Sequence, residues 1–277
     1  MHSTFSFDRF ALLLKQHWAV NKKRYILSFF AFIGLLVIWF LFIMLTDEQY
    51  PMAEGLQQVT FFFSLFAIGS FYSSQIFREL GSRSRGINYL MMPASALEKL
   101  LCSLTFGVVL FFLVFTAAFY LADGLMVFIA NALHPSYNAI GAEGTQAKAS
   151  LINVFHFTEP GQKANINPYI LLTFLVIQSL FILGSVYFEK YSFIKTAISM
   201  FVVMLIFFLL LYVFNDLMPP GGFYQGLSSY RVAEDNNKEF LVQLPEWVGT
   251  VLRGLLMYAL PPFFWVVTYF RLREKQV

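Results

Sequence analysis

The chain has 277 residues, of which 58% are hydrophobic, 19% aromatic and only 13% charged. A water-soluble domain carries about 25% charged residues, so this composition excludes one. The net charge of +3 gives no ground for a nucleic-acid partner, and a single cysteine, Cys102, excludes an internal disulfide.

In chain order, residues 1–24 read as an amphipathic helix on a membrane surface. Phe7, Phe10, Leu14 and Trp18 follow helical steps along one stripe, and Asp8, Arg9, Lys15, Gln16, Lys22 and Lys23 lie opposite. The segment serves either as an anchor orienting the first span or as an anchor that also touches a partner. It is not read as a cleavable signal, because the first strongly apolar run is too long and lacks a small-residue cleavage site. Six apolar stretches follow, at about 25–46, 56–76, 100–121, 169–188, 196–214 and 247–270. Each has about the 20 residues that a helix needs to cross hydrocarbon. Where no water can satisfy the backbone, such runs are helical. The expectation is an all-α, polytopic membrane domain of six transmembrane helices with no separate soluble domain.

Between the second and third stretches, residues 77–99 read FRELGSRSRGINYLMMPASALEK. Pro93 stops the preceding element, and Ser95 with Glu98 matches a capping box that starts a helix near Ala96. Ile87, Tyr89, Leu90, Met91 and Met92 form an apolar cluster outside any span, which calls for cover by lipid or by a partner. Residues 122–168 and 215–246 read as longer loops on the other side. The first keeps an apolar helical pattern from Asp123 to Leu133 and then shows no strong element; the second opens on Pro219, Pro220, Gly221 and Gly222.

Charge orients the chain. Fourteen of the 19 Lys/Arg fall before the first stretch, in 77–99, between the fourth and fifth stretches, and after the sixth. The alternate connections hold four basic residues but 11 of the 16 acidic ones. Basic residues accumulate on the cytoplasmic side, so both termini are expected there.

Residues that could carry chemistry are sparse. The six stretches contain no Asp, Glu, Lys or His, which weighs against a proton relay, an ion pump or an intramembrane protease. The four histidines lie on both sides and cannot form one metal site. Gly81–Gly86 has the glycine spacing of a phosphate loop without the Lys and Ser/Thr that must follow, so the chain itself is not expected to bind ATP. Arg253 is the one charge inside a stretch. It either extends to the interface or makes a polar contact inside the bundle, with Gln178 as one candidate. Pro261 and Pro262 fall mid-stretch, remove backbone donors, and read either as a structural kink or as a pivot.

Six spans, both ends inside, an interfacial N-terminal helix and an enlarged connection after span five resemble the permease subunit of bacterial ABC-2 type transporters, the architecture shared with eukaryotic G-subfamily exporters. Three stretches are similar to family members: RGINYLMMPASALEKL at Arg85–Leu100, YFEKYSFIKT at Tyr187–Thr196 and TYFRLREKQV at Thr268–Val277. The resemblance implies a multi-pass protein of the bacterial inner membrane. It also implies that the chain is not itself an enzyme, that a separate ATPase subunit holding the ATP and Mg drives it, and that it pairs with a second permease chain, identical or not. In the family, the connection between spans two and three carries a coupling helix that contacts the ATPase. That role would fall on Arg83, Arg85, Ile87, Asn88, Tyr89, Leu90, Met91 and Met92. The family's outer connection after span five often carries short re-entrant helices. The resemblance points to export; the rival reading is a non-transporting scaffold or transmitter of the same fold in a larger envelope complex. Cargo, direction of transport and the identity of the second chain are open.

Overall fold

In a computed structural model, the described residues are 5–46, 52–133, 139–140, 146–147, 149–155, 167–216, 229–234, 238–243, 245, 247–248, 251 and 254–275. They are mostly helical, in keeping with the run lengths. Among the described residues, four helices are long and apolar enough to cross a membrane: Phe7–Thr46, Ala96–Leu133, Pro168–Tyr187 and Ser192–Leu210. Helix α2 (Glu54–Ser74) has the length but is diluted by Gln57, Gln58 and four serines. At the far end of the chain a π turn (Leu255–Ala259) leads into α8 (Leu260–Glu274).

Helix α1 runs unbroken from Phe7 to Thr46, 40 residues, or about 60 Å. The expected surface helix and the first span are therefore one helix. Nothing between them breaks it: the only glycine is Gly34, and there is no proline. Its N-terminal part is not simply laid on lipid. Leu13 is buried in a cluster with Cys102 and Phe106, flanked by Phe10, Leu14 and Tyr25, while Phe7 and Trp18 stay exposed.

The second long helix comprises α4 (Ala96–Leu104), a π turn (Thr105–Leu110) and α5 (Phe111–Leu133). It runs parallel to α1. Arg9 meets Glu98, Tyr25 stacks on Phe106 with centroids 6.0 Å apart, and Phe32 stacks on Phe115 at 4.9 Å. This register sets Phe106, not Leu100, level with Tyr25. The apolar zone of this helix is thus shifted toward its C-terminal end relative to the 100–121 read from hydropathy. Helix α2 returns antiparallel, with Trp39 Nε1 donating to Thr60 Oγ1 at 3.2 Å and Tyr72 stacked on Phe111 at 5.2 Å.

Helix α6 (Asn167–Tyr187) is the central helix and packs against α2, α7 (Ser192–Asp216) and α8. It also meets the π turn at Thr105–Leu110. A π turn leaves a carbonyl without its helical donor, and here the fully buried Gln178 of α6 donates Nε2 to Gly107 O at 2.6 Å. Arg253, for which Gln178 was one candidate partner, lies outside the described residues. Gly184 lets α6 and α7 cross closely, because a Cβ there would meet the Thr196 side chain. Beyond that crossing, residues 201–210 of α7 are apolar and exposed all round.

The principal core joins Leu36 and Phe40 of α1, Phe61 and Leu65 of α2, Phe119 of α5 and Phe174 of α6. Two connections carry strands that hydropathy did not suggest. Strands β1 (Ala139–Ile140) and β2 (Gln146–Ala147) pair, as do β3 (Ser229–Glu234) and β4 (Lys238–Gln243), both antiparallel. Strands β3 and β4 thus pair within the connection that often carries short re-entrant helices in the resembled family. Their sequence signal was alternation, Tyr230 and Val232 facing Val242 and Phe240 across the polar Asp-Asn-Asn. Pro219–Gly222 lie outside the described residues.

Candidate functional site

Both ends of the described chain meet at one end of the bundle. Leu272, near the C-terminus, is fully buried in a cluster with Phe77, Ala96, Leu100, Ile182 and Val186. The Arg271 guanidinium lies 4.9 Å from the Tyr187 ring centroid. The three stretches that carry the family resemblance therefore converge here.

The link between α2 and α4 is built in three steps. A 3-10 turn (Arg78–Gly81) ends α2, helix α3 (Arg83–Met91) follows, and Pro93 separates α3 from α4. At Gly81 a Cβ would fall on the Glu189 carbonyl oxygen. The α2–α3 link and the α6–α7 turn therefore touch backbone to backbone. In that turn Tyr191 adopts φ 56°, a left-handed conformation that side chains disfavour.

Glu98 organises the start of α4. Ser95 Oγ accepts from Glu98 N at 3.2 Å, and Glu98 Oε2 accepts from Ser95 N at 2.8 Å, closing the capping box. The other oxygen, Oε1, accepts from Ser6 N at 2.8 Å and from Arg9 Nη2 at 3.0 Å. One fully buried carboxylate thus starts α4 and anchors the beginning of α1. The cap was legible from spacing. The tie to Ser6 and Arg9, across some 90 residues, was not.

Helix α3 has two faces. Tyr89 turns inward: its ring meets Phe77 edge-on at 6.4 Å, and Lys99 Nζ lies 5.4 Å from its centroid. Burial pushes the Tyr89 hydroxyl above its usual range, so it stays protonated. Lys99, almost fully buried, donates Nζ to Leu90 O at 3.1 Å. Met92 packs beside Leu13 and Cys102. These residues tie α3 to α4 rather than presenting it outward. The outward face is Ser84, Arg85, Ile87, Asn88 and Met91, with Ile87 50% and Met91 76% exposed. Arg85 Nε donates to Ser82 Oγ at 3.0 Å. Arg83 opens α3, and its side chain lies outside the described residues.

Pro261 and Pro262 occupy the first turn of α8, directly after the π turn at Leu255–Ala259. The helical path does not break there. The change of helix type coincides with the missing proline donors, and prolines are tolerated in a first turn.

Asp123, read from the sequence as the start of an apolar helical extension in an outer connection, is fully buried in α5, and neither of its carboxylate oxygens has a hydrogen-bond partner among the described residues. Comparison with family models, with curated proteins and with solved structures finds no match for this chain.

Proposed function

We propose that the chain is the permease subunit of an ABC-2 type transporter of the bacterial inner membrane. It spans the bilayer six times with both termini in the cytoplasm, exports its cargo, and works as one of two permease chains driven by a separate ATPase. The observation that carries this reading is α3. A short helix at the end of the bundle that gathers both chain ends presents Ile87 and Met91 outward between polar residues, while Tyr89 and Leu90 bind it to the base of a long apolar helix through Lys99. A push on the exposed face is transmitted to α4 through buried contacts. The fully exposed apolar length of α7 supports a surface for lipid and for the second chain.

The test follows the geometry rather than the apolar cluster as a whole. Ile87→Ser with Met91→Ser should leave membrane insertion and thermal stability intact and abolish co-purification of the ATPase. Each removes an anchor worth about 1–2 kcal/mol, together on the order of a hundredfold in affinity. Tyr89→Ser should instead lower the thermal midpoint. A complex that survives the Ile87/Met91 pair would reject α3 as the coupling helix. A complex that forms but never couples hydrolysis to transport would favour the scaffold reading.

A further inference from the structure

A cavity of about 290 Å³ opens between α1, the end of α2 and the 3-10 turn. Three guanidinium groups, Arg24, Arg78 and Arg85, line it against one carboxylate, Glu79. No ion pair among the described residues engages any of the three arginines. The deeper wall is hydroxyl-rich and aromatic. His17 Nε2 and Tyr25 Oη are 2.6 Å apart, Tyr72 lies beside Tyr25 with centroids 6.2 Å apart, and Phe106 stacks on Tyr25.

The position of the cavity is as informative as its lining. Tyr25 and Tyr72 mark the level at which the apolar runs of α1 and α2 end, and the arginines begin just beyond. That is the level of lipid headgroups, whichever side of the membrane this end of the bundle faces. Guanidinium forks match phosphate oxygens in shape as well as charge. The volume lies at the small end of ligand sites and suits a phosphate with a small polar substituent. The aromatic wall continues toward the apolar zone, where acyl chains would run.

We propose that this cavity binds the phosphate-ester headgroup of an anionic phospholipid, with Arg24 and Arg78 holding the phosphate and the His17–Tyr25 pair facing the headgroup hydroxyls. The site does not depend on an ATPase partner or on transport. Its failure and the failure of the permease reading are therefore separate results.

The test uses the purified full chain in mild detergent. Lipid retention is read by native mass spectrometry and protection by the thermal midpoint, with phosphatidylglycerol, phosphatidylcholine, glycerol phosphate and inorganic phosphate as probes. Phosphatidylglycerol should be retained and protective, and phosphatidylcholine should not. Arg24→Gln with Arg78→Gln should weaken phosphatidylglycerol retention about tenfold or more, while Arg273→Gln, an exposed change away from the cavity, should leave it unchanged. Should the double variant not be recovered folded, Arg78→Gln alone is read in the same way. Protection by phosphatidylglycerol alone supports the site and assigns the phosphate to the bilayer. Equal protection by glycerol phosphate or inorganic phosphate, lost in the variants, supports the site and assigns it to a soluble source. Equal retention of phosphatidylglycerol by wild type and variants, or equal retention of phosphatidylcholine, overturns the proposal.

Discussion

Single side chains here are decided by what lies across from them. Glu98 and Asp123 are both fully buried carboxylates on one long helix, yet they differ in kind. Glu98 accepts from two backbone N–H groups and a guanidinium, which offsets the loss of water. Asp123 has no such donors among the described residues, and an unpaired buried carboxyl is destabilising. Asp123→Asn should therefore leave the thermal midpoint in detergent unchanged or raise it. The alternative is a hidden cationic partner. Breaking a buried pair of that kind costs about 3–5 kcal/mol, so a fall of many degrees would reveal one. The continuation of the helix past Asp123 to Leu133 was legible as an apolar pattern, whereas the burial of Asp123 within the bundle was not.

At the scale of elements, close approaches of backbone set how the helices meet. Gly81 against the Glu189 carbonyl admits no side chain, and the obstacle is backbone, which cannot swing aside. Gly34 has nothing within 4 Å of its Cβ position. The two glycines should respond in opposite directions to alanine. Gly34→Ala should stabilise α1 by about 0.5–1 kcal/mol through helix propensity. Gly81→Ala should cost about 1–3 kcal/mol through overpacking and should loosen the α2–α3 link from the α6–α7 turn. Thermal unfolding of the two variants side by side checks this, and equal shifts would remove Gly81 from the interface. The same scale explains why Tyr89 and Leu90, apolar and adjacent to Ile87 and Met91, are not equivalent to them. On a helix, neighbours in sequence point in different directions, and only the position of Phe77 and Lys99 determines which direction is inward.

For the whole molecule, the bias of basic residues gives the orientation proposed above. Both termini and α3 should face the cytoplasm, with residues 141–145 on the outside. A cysteine introduced at Ala142 should react with an impermeant thiol reagent in intact cells, and one at the exposed Ser84 should react only after permeabilisation; native Cys102 is buried and should stay silent in both. The reverse labelling would overturn the orientation. Gly86, though in the same segment as Ser84, is covered by Glu79 and Leu80 and would label poorly from either side.

Membrane character and the existence of long apolar helices were legible in the sequence, because a backbone in hydrocarbon has one local solution and the run lengths state it. The start of α4 was legible as well, since a capping box is closed by residues three apart. The pairing of β3 with β4 has its signal in the alternation of Tyr230, Val232, Phe240 and Val242, which leaves no trace in hydropathy. What only the tertiary structure decided depends on contacts between residues far apart in the chain. Such contacts comprise the register of α1 against α4 and α5, the inward turn of Tyr89, the burial of Asp123, the donation of Gln178 to Gly107 and the gathering of Arg24, Arg78 and Arg85 around one cavity. Periodicity in one helix says which residues share a face, but the neighbour that covers that face comes from elsewhere in the chain, and burial follows the neighbour.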